Sequence, residues 1–320
     1  PIKALLIVGG SPYISYPQPS LWEKVYKQLE FMTVTDRFMV EECKWADVVL
    51  PAATHFEIES FLFDNGGISF RKKVIEPVGD AKNDVLIIAK IAQRLGYGHL
   101  FPKNEKEILQ RAFTDKQDLL QELINSPDGI SLENGKRLYR KYAQGLLRKD
   151  GLQGFPTPTG KLEIKSSLLA KHGYEALPVY EDPYRKGGNS WGNSTDYPLA
   201  LTTGARAMSR FNSQYLNFSE LTKFHVCPEL EINPKDAFPR GIQSGQKVIV
   251  RTEAGQLKFT AFVTSDICSG TVHLPHGGGG DYQKGLWKKA NVNALISPEN
   301  RDPISGYIAC KAIPCQVEKV

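Results

Sequence analysis

The chain has 320 residues, 41% hydrophobic and 23% charged, and its 40 basic and 35 acidic residues leave a formal net charge of +5. That is the composition of a globular protein with room for two domains, each able to bury its own core. It excludes a membrane-spanning helix, because no run reaches the roughly 18 apolar residues a span needs. No Lys/Arg block with interleaved aromatics is present, which argues against nucleic acid as a partner and leaves an anionic ligand open.

The chain opens PIKALLIVGG. Ala4 to Val8 is a continuous apolar run stopped by Gly9-Gly10-Ser11-Pro12, which predicts a strand buried on both faces of a parallel sheet. An opening inside an element, with no initiator Met and no leader pattern, reads as a piece of a longer polypeptide. Ser20 to Glu30 (SLWEKVYKQLE) predicts a helix with Ser20 as N-cap and Leu21, Val25 and Leu29 on one face. FMTVTD, ending at Asp36, predicts a second strand. A short helical stretch over 41–46 then leads to DVVLPA, a third strand stopped by Pro51. Strands alternating with helices at this spacing predict a doubly wound α/β domain. DVLIIAKIAQRL (84–95) predicts a helix closed by Gly96, and two or three more helices fill 105–147.

From Gly151 to Pro198 the text turns rich in Pro, Gly, Ser and Asn, as in GFPTPTGK and KGGNSWGNSTDYP, which predicts a linker or surface arm. Beyond Tyr197 the pattern is β. LALTTG is a strand, QKVIVRT and QLKFTAFVTSD form a hairpin around Glu253-Ala254-Gly255, and SGTVHLPH is another strand. Short strands with Gly-rich turns predict a barrel or sandwich.

Chemistry-bearing residues are sparse. Gly9-Gly10-Ser11 and Thr35-Asp36 end predicted strands, where ligands of open α/β sheets sit. A carboxylate there can hold a ribose hydroxyl or the N–H edge of a guanine; equally, the glycines make a plain turn and Asp36 caps a helix. The motif GxGxxG is absent, so this is no ordinary NAD-binding pattern. TTGARAMSRFNSQYLN (202–217) carries Arg206 and Arg210, planar donors suited to pyrophosphate or to a carbonyl-rich ring, unless the stretch is simply a solvated turn. His273 and His276 are separated by Leu-Pro. Residues three apart on a strand point to opposite faces, so joint metal binding is not expected. Gly277 to Gly280 lack a P-loop context and read as a close backbone approach or a sharp strand exit. The five cysteines form no CxxC and read as small buried hydrophobes, with Cys310 and Cys315 the two to watch. No catalytic arrangement is found: no GxSxG, no HExxH, no Cys/His pair at telling spacing. The chain is equipped to bind rather than to react.

The order of motifs resembles the molybdopterin oxidoreductases, the dimethyl sulfoxide reductase superfamily, over nearly the whole chain. VTDRFMVEECKWADVVLPAATHFE is similar to that family's Asp, acidic pair, then Ala-Asp-Val-Val-Leu-Pro. FDNGGISF, VIEPVGDAKNDVLIIAKIAQRLG and GFPTPTGKLEIKS resemble its following segments. TTGAR, LEINPKDAFPRGIQSGQKVIVRTEAGQLKFTAFVTSDICSGTVHLPHGGGG, NVNALI, DPISG and a closing lysine resemble its last domain. Departures are Ser11-Pro12 in place of Asn-Pro, no basic residue near Ile58, and Ile68-Ser69-Phe70 where an Arg is usual.

The resemblance implies the C-terminal half of such an enzyme. Residues 1–150 would be a Rossmann-like domain, 151–196 a linker or arm, and 197–320 a six-stranded double-psi β-barrel. Carried over by position, Gly10, Thr35, Asp36 and Asp84 match nucleotide contacts, Gly204, Arg206 and Ser213 match a pterin and pyrophosphate loop, and Asn293 and Lys311 match later cofactor contacts. The implied cofactor is a bis-molybdopterin guanine dinucleotide with molybdenum or tungsten. The metal's protein ligand and a 4Fe-4S cluster would lie in the N-terminal half of the polypeptide, before Pro1. An iron–sulfur electron-transfer subunit is the expected partner. A prokaryotic cytoplasmic or periplasmic setting is implied, with any export signal preceding Pro1. The endings NVNAL and DPISG resemble the thiosulfate/polysulfide reductase and acetylene hydratase branch. A cofactor-binding subunit without catalysis, or a binding module built on the barrel, is the alternative.

Overall fold

A computed structural model describes residues 2–64, 66–131, 138–180, 196–204, 212–223 and 227–320. The chain divides into two compact units that interleave along the sequence. One comprises Pro1–Thr54, Pro77–Ile87 and Asp182–Val320, and the other His55–Glu76 and Ile88–Glu181.

In the first unit, β1 (Ala4–Val8) is followed by α1 (Pro12–Ser15), α2 (Pro19–Tyr26), β2 (Phe31–Asp36) and β3 (Val48–Pro51). The three strands are parallel in the order β1-β2-β3, with Val8 beside Thr35 and Thr35 beside Leu50. Ile7, Met32 and Val34 pack with Tyr26 and Cys43 on one face of this sheet. The run ALLIV is buried on that face only: Ile7 is 7% exposed, but Leu6 and Val8 are 47% and 44% exposed. The expectation of burial on both faces is thereby corrected, because no layer of the described residues covers the second face. Ser20 does not cap α2. Gln18 occupies that position in the left-handed region and Pro19 takes the first helical turn, where its missing N–H costs nothing. The helix ends at Tyr26, four residues earlier than the apolar spacing suggests.

The second unit holds the antiparallel pair β4 (Ser60–Asp64) and β5 (Gly67–Arg71), which the sequence reading missed. Its signal was present: an Asn-Gly pair between apolar residues is a strong hairpin cue. α3 (Asp84–Arg94) begins in the first unit, and α4 (Glu105–Ala112) and α5 (Gln117–Ile124) follow in the second. The two-residue β6 (Ile130–Ser131) completes the β4-β5-β6 sheet, over which Leu109, Phe113, Leu120 and Leu123 form a core with Ile68. Of the two or three helices expected over 105–147, two are α-helices among the described residues, and Lys141–Gln144 is a 3-10 turn.

Returning to the first unit, β7 (Leu199–Gly204), β8 (Glu229–Ile232), β9 (Lys247–Arg251), β10 (Gln256–Val263), β11 (Thr271–Pro275) and β12 (Ile313–Lys319) close a six-stranded barrel. The order round it is β10-β8-β11-β7-β12-β9. β7 pairs parallel with β11 and β8 with β10, while the other pairings are antiparallel. Alternation decides what fills it. Leu199 and Leu201, Val248 and Val250, Val272 and Leu274 point inward and are at most 2% exposed, each worth about 1.5–3 kcal/mol of burial. Cys315 belongs to this core, and burial pushes its thiol up to about 12, which removes it from reactive chemistry.

Gly277 to Gly280 run on from β11, and protein closes on all four. A Cβ on Gly277 would stand 2.5 Å from the Asn212 carbonyl oxygen, on Gly278 2.7 Å from that of Ala290, and on Gly280 2.6 Å from Glu41 Oε2. Gly279 is the tightest, at φ +112° with its Cβ position 2.1 Å from the Asn291 Cβ. Gly306 has φ +70° and open space around it. Gly306→Ala should therefore cost only the left-handed backbone penalty, about 1–2 kcal/mol. Gly279→Ala should cost about 3 kcal/mol or more, since overpacking adds to it. Urea unfolding of the two variants checks this, and equal losses would contradict the close approach.

Candidate functional site

A cavity of about 270 Å3 opens at the carboxyl ends of the three parallel strands. Gly9, Gly10 and Ser11 after β1, Asp36 to Glu41 after β2, and Ala52 and Ala53 after β3 form one side. Asp84, the first residue of α3, joins them. The opposite wall comes from the barrel: Asn212 to Tyr215 from the segment after β7, and Gly280, Tyr282 and Gln283 from the run after β11. A Cβ on Gly10 would touch nothing within 4 Å, so its missing side chain leaves open volume.

Three carboxylates line this space, Asp36, Glu41 and Asp84. Asp36 Oδ1 accepts the Phe38 N–H at 3.1 Å, which fixes the turn after β2. Burial raises the Asp84 carboxyl above its usual range, the Asp36 charge raises it further, and Arg37 opposes both.

A polar seam holds the two walls together. Glu42 is fully buried. Its Oε2 accepts the Ser11 hydroxyl at 2.7 Å, and its Oε1 accepts the Tyr13 N–H at 2.8 Å and the Tyr26 hydroxyl at 3.3 Å. Desolvation raises its carboxyl, and the hydrogen bonds from Ser11 and Tyr13 pull the other way. Glu41 Oε2 accepts the Asp281 N–H at 2.8 Å, and Lys44 bridges Glu41 and Asp281. Asn291 donates to the Tyr13 carbonyl at 3.0 Å and Asn293 to that of Ile14 at 2.6 Å, while the Gln18 N–H returns to the Asn293 carbonyl. Gln283 clamps the glycine run, accepting from Gly279 N and donating to the Gly277 carbonyl.

Of the residues carried over from the resemblance, Gly10, Asp36, Asp84 and Ser213 line the one cavity. Thr35 does not. It is 3% exposed within β2, and its carbonyl accepts the Gly9 N–H. Asn293 is buried in the seam rather than at the cavity. Gly204 and Lys311 meet at the end of β7, where the Lys311 ammonium donates to the Thr203 carbonyl. Arg206 and Arg210 lie outside the described residues. Glu41, Glu42, Asn291 and Gln283 were missed as builders of the site. Nothing local in the sequence marks Glu42, whose partners Ser11, Tyr13 and Tyr26 lie 16 to 31 positions away.

The two histidines have separate surroundings. His276 Nδ1 lies 2.9 Å from the Gly204 carbonyl and Nε2 2.6 Å from Asn212 Oδ1, so the ring spans the end of β7 and the cavity wall. His273 is on the outer face of β11, with Nδ1 3.4 Å from Glu231 Oε2, and neither ring nitrogen has hydrogen-bond geometry.

With this geometry in place, comparison with known proteins gives a class. Residues 1–94 match the molybdopterin oxidoreductase family, and residues 199–314 match the molybdopterin dinucleotide binding domain. Segments toward both ends of the chain thus match molybdopterin oxidoreductase families. Among individual proteins, it is 29% identical over 282 residues to the acetylene hydratase of Syntrophotalea acetylenica, covering 87% of this chain and 37% of that protein. It is 28% identical over 346 residues to the trimethylamine-N-oxide reductase of Haemophilus influenzae, covering 99% of this chain and 42% of that protein. The solved structure of acetylene hydratase from Pelobacter acetylenicus superposes with a TM-score of 0.85 at 25% identity, covering all of this chain and 44% of that one. The chain thus spans less than half the length of these relatives.

His273 gives a pH prediction. Burial pulls its imidazole below the usual range, opposed by the Glu231 charge. The unfolded chain therefore binds the proton more readily. The stability contributed by neutral His273 is present above about pH 6.5 and is lost as pH falls from there toward the folded value. Chemical denaturation between pH 7.5 and 5 should show a shallower decline in His273→Gln than in the parent; parallel curves would contradict it.

Proposed function

We propose that the chain is the C-terminal portion of a molybdenum or tungsten oxidoreductase and that the cavity holds the guanosine end of one molybdopterin guanine dinucleotide. The observation that carries this is the convergence of Asp36 and Asp84 on a single cavity at the carboxyl ends of parallel strands, beside Gly10. Guanine presents N–H donors at N1 and at its exocyclic amine, which carboxylates accept; adenine presents an acceptor at N1. Ribose hydroxyls are donors as well. A volume of about 270 Å3 suits a nucleoside rather than an entire dinucleotide, so the rest of the cofactor runs on from it.

In this reading residues 1–150 are Rossmann-like, 151–196 a connecting arm, and 197–320 a double-psi barrel. The parallel β1-β2-β3 sheet and the closed six-stranded barrel support it. Gly204, Arg206, Ser213 and Lys311 serve the pyrophosphate and pterins, the lysine by its charge. Thr35 supports the Gly9 turn, and Asn293 acts through the seam on the α1 carbonyls rather than on the ligand. No side chain is assigned as a metal ligand or catalytic group. The bound cofactor supplies the two-electron or oxygen-atom chemistry, and these residues bind and orient it. The iron–sulfur cluster, the metal's protein ligand and an iron–sulfur partner subunit belong to the rest of the enzyme. That the chain is a portion of a longer enzyme draws support from the partial coverage of the relatives and from the uncovered apolar face at Leu6 and Val8, since parallel sheets are normally covered on both faces.

Guanine nucleotides should raise the thermal midpoint of the 320-residue chain more than adenine nucleotides do. Asp36→Asn should abolish that preference, because an amide no longer offers acceptors alone. Equal stabilisation of the parent protein by both nucleotides would remove the guanosine assignment.

A further inference from the structure

The cavity lining includes aromatic rings, Phe38 and Tyr215, that neither the seam nor the carboxylates require. Phe38 follows Asp36 by two residues, and its N–H is held by the Asp36 carboxylate at 3.1 Å, so acid and ring are fixed in one turn. Tyr215 stands on the barrel side and also lines the cavity. It has φ +70°, a conformation a bulky side chain rarely adopts and one that concentrates at ligand clamps. Phe218 links the two. Its ring meets Phe38 edge-on, with centroids 5.4 Å apart and planes at 89°, and lies 6.1 Å from Tyr215, while its N–H donates to the Tyr215 carbonyl at 3.0 Å. Aromatic groups built for packing bury their faces. Here Phe38, Tyr215 and Phe218 each keep 37% or 38% of their surface exposed.

We infer that Phe38 and Tyr215, braced by Phe218, form a stacking platform for a purine base whose N–H edge meets Asp36 and Asp84. This rests on the nucleotide reading of the cavity and adds a division of labour to it. Every base has a π-face, so the rings supply affinity without discrimination. The carboxylates accept only from donors, so they supply the choice of guanine. Phe38 and Asp36 share a turn, and placing the ring places the acid.

Titration of the 320-residue chain with GDP and with ADP tests this. Phe38→Ala and Tyr215→Ala should each weaken both nucleotides by a similar factor, roughly tenfold, leaving the guanine-to-adenine ratio intact. Asp36→Asn should do the reverse, and Phe38→Tyr should restore binding. Phe38→Trp keeps an aromatic ring and covers the case in which the alanine variant fails to fold; its added indole fluorescence should be quenched by either nucleotide. Parent protein that binds GDP with alanine variants of unchanged affinity and no quenching would overturn the platform and leave the nucleotide site standing. A loss confined to GDP would also overturn it, because the rings would then be reading the edge. A parent chain that binds neither nucleotide overturns both readings.

Discussion

The buried Glu42 carboxylate organises the first unit. A fully buried acid with no partner is strongly unfavourable, and Glu42 is tolerable only because Ser11, Tyr13 and Tyr26 all donate to it. Those donors fix the turn after β1 and the start of α1. Once α1 is fixed, its carbonyls at Tyr13 and Ile14 are presented to Asn291 and Asn293. One carboxylate therefore sets the strand end that lines the cavity and also the ledge on which the barrel docks. Breaking a buried hydrogen-bonded acid of this kind leaves its partners unsatisfied as well.

Glycine makes the docking possible. Glu41 lies where a side chain on Gly280 would stand, and Asn291 where one on Gly279 would stand. The tetraglycine run is thus the space required by the seam, and its first member lets the Asn212 backbone approach. The cavity is what remains between two walls brought together at backbone distance. It sits at strand ends, where backbone polar groups and short polar side chains converge. Its acidic character follows from Asp36, Glu41 and Asp84 arriving at one space, where the Asp36 charge adds to burial in raising the Asp84 carboxyl. Acceptors from two directions suit a ligand rich in N–H and O–H donors better than they suit an anion.

Much of this was legible in the sequence, and the exceptions have physical causes. Apolar runs and alternation marked β1, β2, β3, β7, β9, β10 and β11, because burial imposes the period directly. β8 has only four residues, and Pro314 within β12 counts against a strand there. Ser20 looked like a helix cap, yet Pro19 one residue earlier already has the right φ for a first turn. At the site, Asp36 and Gly10 could be found because strand ends are predictable positions. Asp84 and Ser213 came only through resemblance. Glu42 was hidden, since nothing local says that an acid beside a second acid will be buried by residues 11, 13 and 26. The place of Asn293 in the seam was hidden for the same reason: its amide reaches a carbonyl 279 positions away. Long-range polar pairing leaves no period in the text.

The central claim is that this chain is the guanosine-holding end of a metal–dithiolene enzyme. It is tested most directly by the content of the native protein purified from its source. Metal analysis together with acid release of nucleotide should find molybdenum or tungsten with guanosine monophosphate, on a polypeptide much heavier than 35.7 kDa. A native protein with neither metal nor guanine nucleotide would contradict it.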